Sequence, residues 1–135
     1  MATLHNEVLI HVSPTEAWAA AEDVGALHTR LVPGFVVDTR LEGEVRVVTF
    51  GNGMVVREPI ISVDSTRRRL AWCSEGAGAT HYNAVLQMFP EGSGTRVTWT
   101  TDLLPHALAD RIQALQEQAL AVMKRTLEAA SVLPG

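Results

Sequence analysis

The sequence predicts an α+β fold: a curved antiparallel sheet of about seven strands, wrapped around one long C-terminal helix, with two short helices after the first strand. Three observations carry this. Residues 35–104 read as short alternating segments separated by tight Gly-, Asn- and Ser-rich loops, which is the signature of consecutive hairpins. Residues 106–131 carry apolar side chains at three- and four-residue spacing with no breaker, which is the signature of an amphipathic helix. A lone alternating segment precedes a helix-start signal near the N-terminus.

Taken in order, residues 4–12 put Leu4, Asn6, Val8, Ile10 and Val12 on one face and His5, Glu7, Leu9 and His11 on the other, a half-buried strand. Ser13-Pro14-Thr15-Glu16 then supplies an N-cap, a proline at the first helical position and a glutamate placed to close a capping box. The helix carries Ala17, Trp18, Ala20 and Ala21, with Trp18 read as core. Gly25 is expected to break it, and a second short helical piece ends at Pro33-Gly34. Six strands follow at 35–41, 44–50, 54–63, 69–74, 81–89 and 95–101. Their connections, among them Gly51-Asn52-Gly53 and Glu75-Gly76-Ala77-Gly78, imply a sequential meander. The closing helix shows the stripe Leu108, Ile112, Leu115, Ala119, Val122, Met123 and Leu127. At 1.5 Å per residue it spans on the order of 39 Å, enough to cross the whole sheet. A curved sheet gripping such a helix leaves space between the layers, and that space suits a small molecule.

Composition sets the boundaries. The 135 residues make one domain, 1–135, with 47% apolar and 19% charged residues, which excludes disorder. A net charge of −4 argues against nucleic acid as partner, since phosphate binding needs a basic face. Cys73 is the sole cysteine and cannot form an internal disulfide. No apolar stretch approaches the roughly 18 residues of a membrane span, and no leader pattern opens the chain, so a cytoplasmic protein is expected. His5, His11, His28, His81 and His106 are scattered without metal-ligand spacing, so neither metal nor cofactor is expected. Arg67-Arg68-Arg69 reads as a solvated turn. A homodimer is compatible with the sequence, but nothing in it indicates one.

The first strand, Ser13-Pro14-Thr15-Glu16-Ala17-Trp18, a meander containing Gly94-Thr95-Arg96-Val97-Thr98-Trp99, and a closing helix together resemble the START/Bet v 1-like helix-grip superfamily (SRPBCC). Within it the chain looks most like the bacterial polyketide cyclase/dehydrase-type proteins. The resemblance spans essentially the whole chain and implies the helix-grip fold; activities in the superfamily range from lipid carriage to cyclisation. Val45-Arg46-Val47-Val48, Val56-Arg57-Glu58 and His81-Tyr82-Asn83-Ala84 are similar in pattern to plant abscisic-acid receptors and lachrymatory-factor synthase. That similarity implies that Glu58 and Tyr82 face a cavity and that Arg46 and Glu58 act together in catalysis. The chain departs from the receptors in having Phe50-Gly51-Asn52-Gly53-Met54 where they carry a Ser-Gly-Leu-Pro-Ala gate, so a hormone-receptor role is not expected.

Strand alternation independently places Val97, Trp99 and Thr101 inward on the last strand, and Tyr82, Ala84, Leu86 and Met88 inward on the one before. On residues 54–63 either Glu58 or Arg57 must interrupt an apolar row, and Pro59 can shift the register by a bulge. The expected pocket is therefore lined by Val56, Glu58, Trp72, Tyr82, Ala84, Leu86, Trp99, Thr101, Leu115, Ala119 and Met123, with Asn6 as a further polar tip. It would bind a small, mostly apolar ligand that is aromatic, lipid-like or polyketide-like. The alternative is a cyclase, dehydratase or isomerase in which Glu58 transfers a proton and Arg46 or Tyr82 stabilises an enolate-like oxygen. A structural Arg46–Glu58 ion pair is the third reading of the same residues.

Overall fold

The computed structural model describes residues 2–76 and 78–131. Strand β1 (Ala2–Ile10) leads into helix α1 (Pro14–Glu22), a 3-10 turn (Val24–Ala26) and a π-type turn (Leu27–Leu31). Then come β2 (Val36–Glu42), β3 (Val45–Phe50), β4 (Val55–Asp64), β5 (Arg69–Cys73), β6 (His81–Glu91) and β7 (Gly94–Leu104), followed by a 3-10 turn (His106–Leu108) and helix α2 (Ala109–Ser131). All seven strands form one antiparallel sheet in the order β1-β7-β6-β5-β4-β3-β2. The expected α+β architecture is the one observed. Ala77, expected in a turn, lies outside the described residues.

Several boundaries differ for physical reasons. Residues 106–108, expected as the first helical turn, wind more tightly as a 3-10 turn directly after Pro105. Helix α1 ends at Glu22 with Asp23 at its C-cap, before Gly25. Gly25 instead gives room: a Cβ there would stand 3.2 Å from the Leu41 side chain, so its bareness lets β2 fold against the turn. The β6–β7 hairpin is longer than its composition implied, because Pro90 still pairs opposite Thr95. The bulge foreseen at Pro59 falls slightly later, between Ile60 and Ser62, and a second one lies between Val36 and Asp38. Such bulges bend the strands that carry them and add to the twist of the sheet.

At the start of α1, Ser13 Oγ accepts the Glu16 N–H at 3.3 Å and donates to the Glu16 carboxylate at 3.4 Å. That is half of the expected capping box, with the glutamate reaching the hydroxyl instead of the backbone. Trp18 is buried as expected, its indole N–H donating to Glu22 at 2.9 Å. The main core joins Ile10, Ala17, Trp18, Val48, Met88 and Val97 to Leu120, Met123 and Leu127 of α2, each large aliphatic contributing about 1.5–3 kcal/mol. Among the described residues no helix is long and apolar enough to cross a membrane.

Candidate ligand cavity

Between the concave face of the sheet and α2 lies a cavity of about 380 Å³. Its floor alternates as pleating requires: Arg46, Val48 and Phe50 from β3, Val56 and Glu58 from β4, Leu70 and Trp72 from β5, Tyr82 and Leu86 from β6, and Trp99 from β7. The helix contributes Ile112, Leu115, Gln116, Ala119 and Met123 as its roof, and Leu27, Leu31 and Phe35 close one end. Exposed lining residues Gly51, Asn52, Gly76 and Gln118 mark where it opens. On one side of this mouth the Gly51 N–H donates to Phe35 O at 3.0 Å, and a Cβ on Gly51 would fall 2.6 Å from Gly34 O. Only glycine allows the two loops to meet this closely.

Of the residues expected in the pocket, Val56, Glu58, Trp72, Tyr82, Leu86, Trp99, Leu115, Ala119 and Met123 line it, whereas Ala84 and Thr101 do not. Ala84 has the inward orientation predicted, but it sits between Trp72 and Thr101 on neighbouring strands and between Tyr82 and Leu86 on its own, and these longer side chains extend past its methyl. Thr101 is fully buried and its hydroxyl is taken by Gln116 of the helix.

Arg46 and Glu58 face each other across the β3–β4 ladder. Arg46 Nε and Nη2 stand 2.9 Å and 2.8 Å from Glu58 Oε1, with the guanidinium 2% exposed and the carboxylate side chain 10%. Both contacts fall on the same oxygen, Oε1. The guanidinium carbon also lies 5.4 Å from the Trp72 ring centroid, within range of a cation–π attraction. Burial pushes the Glu58 carboxyl up. The Arg46 charge and hydrogen bond pull it back without cancelling the shift, and the nearby Trp72 indole adds a weaker pull without forming a well-directed hydrogen bond. Arg46 and Glu58 are the only acidic or basic residues among the described lining, and they face each other.

A second polar group was not anticipated. Gln116, 2% exposed, projects from the apolar stripe of α2 and donates to Thr101 Oγ1 at 2.8 Å and to the Tyr82 hydroxyl at 3.3 Å. Its carbonyl accepts from Asn6 Nδ2 at 3.0 Å, and Asn6 also exchanges two hydrogen bonds with Gln113. Asn6, expected as a polar tip of the cavity, thus serves this network and is not part of the lining. Burial pushes the Tyr82 phenol up to about 12, the bond from Gln116 opposing that shift and the Glu58 charge adding to it. The indole N–H groups of Trp72 and Trp99, whose ring centroids are 5.8 Å apart, are buried without a well-formed hydrogen bond among the described residues. Among the described residues no cluster of three or more His, Cys, Asp or Glu is placed to hold a metal ion.

The family described as polyketide cyclase / dehydrase and lipid transport matches residues 1–129. The chain belongs to this family. Among solved structures, one domain of the di-domain ARO/CYC BexL from the BE-7585A biosynthetic pathway superposes with a TM-score of 0.83 at 15% identity, over 98% of this chain and 48% of that one. Norcoclaurine synthase from Thalictrum flavum, in complex with dopamine and hydroxybenzaldehyde, gives 0.70 at 19% identity, over 97% of this chain and 86% of that one. A protein from Thermobifida fusca gives 0.76 at 24% identity, over 95% and 91%. At these identities the likeness is one of fold, and the fold is the helix-grip, Bet v 1-like one. No curated protein matches the chain significantly in sequence.

Proposed function

We propose that this chain binds one small, mostly apolar molecule, aromatic or polyketide-like, in the cavity between the sheet and α2. The carrying observation is the cavity itself: about 380 Å³, within the size of small-molecule sites, walled by carbon and interrupted by a few polar groups. Its rigid walls belong to strands and a long helix, so the space is preformed and a ligand need not order it. Titration with Nile red, a neutral apolar dye, tests this. Saturable fluorescence enhancement with one dye per protein is expected, and an enhancement that never saturates would refute the reading.

The geometry of Glu58 favours a second reading, an enzyme of the cyclase, dehydratase or isomerase type. Both Arg46 contacts fall on Oε1, leaving Oε2 outside the ion pair, and burial raises the carboxyl above its ordinary value, which makes it the better proton acceptor. In such chemistry Glu58 Oε2 takes a proton from a carbon next to a ligand carbonyl, and the Tyr82 hydroxyl supports the enolate oxygen that forms. Exchange of deuterium into the methyl group of acetylnaphthalene measures this step. Glu58→Gln should slow any protein-dependent exchange by about 10²–10⁴, and exchange no faster than in buffer leaves binding as the function.

A further inference from the structure

The amide network behind Tyr82 has a direction, and that direction specifies what the cavity asks of its ligand. Glu117 is exposed and, as a carboxylate, only accepts hydrogen bonds. It accepts from Gln113 Nε2 at 2.9 Å, which fixes the amide end that Gln113 turns toward it. The second Gln113 N–H then meets Asn6 Oδ1, and Gln113 Oε1 receives Asn6 Nδ2 at 3.1 Å. The other hydrogen of Asn6 Nδ2 goes to Gln116 Oε1, so Gln116 must present its NH₂ to Thr101 and Tyr82. Reversing any one amide would set two donors or two acceptors against each other, or a carbonyl against the Glu117 carboxylate. Each orientation therefore follows from the one before it.

At the end of this relay the Tyr82 oxygen is an acceptor toward Gln116. With Gln116 donating to Thr101 Oγ1 as well, the Thr101 hydroxyl turns its hydrogen toward the same Tyr82 oxygen, which leaves the phenol hydrogen to point away from both, while the ring lines the cavity. The indole N–H groups of Trp72 and Trp99, also in the lining, form no hydrogen bond among the described residues, Trp72 lying beside the Glu58 carboxylate. We propose that Gln116 is a positioning residue which, held by the Asn6–Gln113–Glu117 relay, turns the Tyr82 hydroxyl hydrogen into the cavity, and that the site consequently selects an apolar ligand carrying an acceptor oxygen, as a ketone does. This rests on the reading of the cavity as a binding site and adds the chemistry of the group bound there.

Acetylnaphthalene and ethylnaphthalene, matched in size and differing in the carbonyl, serve as probes by competition with Nile red. The wild-type protein should bind the ketone about threefold to tenfold more tightly, the worth of one hydrogen bond between neutral groups. Tyr82→Phe should abolish that preference, bringing the two probes to within about twofold of each other. Gln116→Glu replaces the NH₂ donor with an acceptor to which Tyr82 will donate, and should abolish it as well. Glu117→Gln, on the exposed face and harmless to folding, frees the relay to reverse and should lower the preference in part. A merely structural role for Gln116 would move melting temperature and leave the ratio of the two affinities intact. Equal affinity of both probes for the wild-type protein would overturn the proposal while leaving the binding reading in place. An undiminished ketone preference in either Tyr82→Phe or folded Gln116→Glu would do the same. Saturable binding of neither probe would overturn both.

Discussion

Ala119→Phe separates an open cavity from a filled core, because the two give stability changes of opposite sign. Ala119 is 1% exposed, lines the cavity from α2 and sits one helical turn from both Gln116 and Met123. A phenyl ring placed there projects into about 380 Å³ of space. It covers on the order of 100 Å² of apolar surface, its own and that of the wall, less than the roughly 150–250 Å² that a fully buried aromatic covers in a core. At about 25 cal/mol per Å² this stabilises by about 2.5 kcal/mol. Freezing the ring costs on the order of 1 kcal/mol, and the poorer helix propensity of Phe about 0.5 kcal/mol. A net gain of about 1 kcal/mol remains, or a rise in melting temperature of about 2–5 °C for a chain of this size. Overpacking of a filled core would instead cost about 1–3 kcal/mol. Urea denaturation of the two proteins reads the sign directly, and Nile red titration of the same samples reads the function. The variant should be at least as stable as wild type and should lose dye affinity. A loss of stability together with undiminished dye binding would refute both the cavity and its place in the protein.

The Arg46–Glu58 pair should appear as non-additivity: in urea denaturation Arg46→Met combined with Glu58→Gln should be about 1–3 kcal/mol more stable than the two separate effects summed, and additivity within about 0.5 kcal/mol would show the pair uncoupled. Because burial raises the Glu58 carboxyl, it favours the folded state below the ordinary carboxylate range, and that advantage disappears as pH rises through the raised value. Glu58→Gln, neutral throughout, should therefore gain on wild type as pH rises above the ordinary carboxylate value of 4.5, whereas a constant stability difference would contradict the shift. Tyr82 is the sole tyrosine, so its phenolate absorbance reports one site. It should titrate at about 12 in the folded protein against 10 in the unfolded chain, and stability that the protonated phenol supplies below pH 10 is lost as pH rises toward 12. A midpoint of 10 with the fold intact would show the hydroxyl facing water.

The fold was legible because local signals agreed with one another. Counting equally outward from Asn52 in the Gly51-Asn52-Gly53 turn lands on Arg46 and Glu58, which do face each other, so the register of that hairpin was already in its loop. The inward rows of β6 and β7 followed from alternation alone, since no bulge interrupts their pairing. Depth was harder to read. Period-two alternation says that Ala84 and Thr101 point inward, and both do. Whether an inward atom reaches the cavity depends on the lengths of its neighbours, and those belong to other strands.

Gln116 shows the other limit. Ile112, Gln116, Ala119, Met123 and Leu127 form one continuous buried row at three- and four-residue spacing, so a polar residue in the middle of the apolar stripe was visible in principle. What the sequence withheld was its partners, because Asn6 stands 110 residues earlier and Tyr82 34 residues earlier. An unpaired buried amide would cost about 1–3 kcal/mol, so a glutamine in that row implies partners even before they are known. The partners found are two hydroxyls on the sheet and an amide of β1, and only one of them, Tyr82, also touches the cavity. The helix is thus tied to the sheet by polar bonds beside the part of the cavity wall that carries Tyr82. The same bonds that hold the roof in place also decide which way the Tyr82 hydroxyl points.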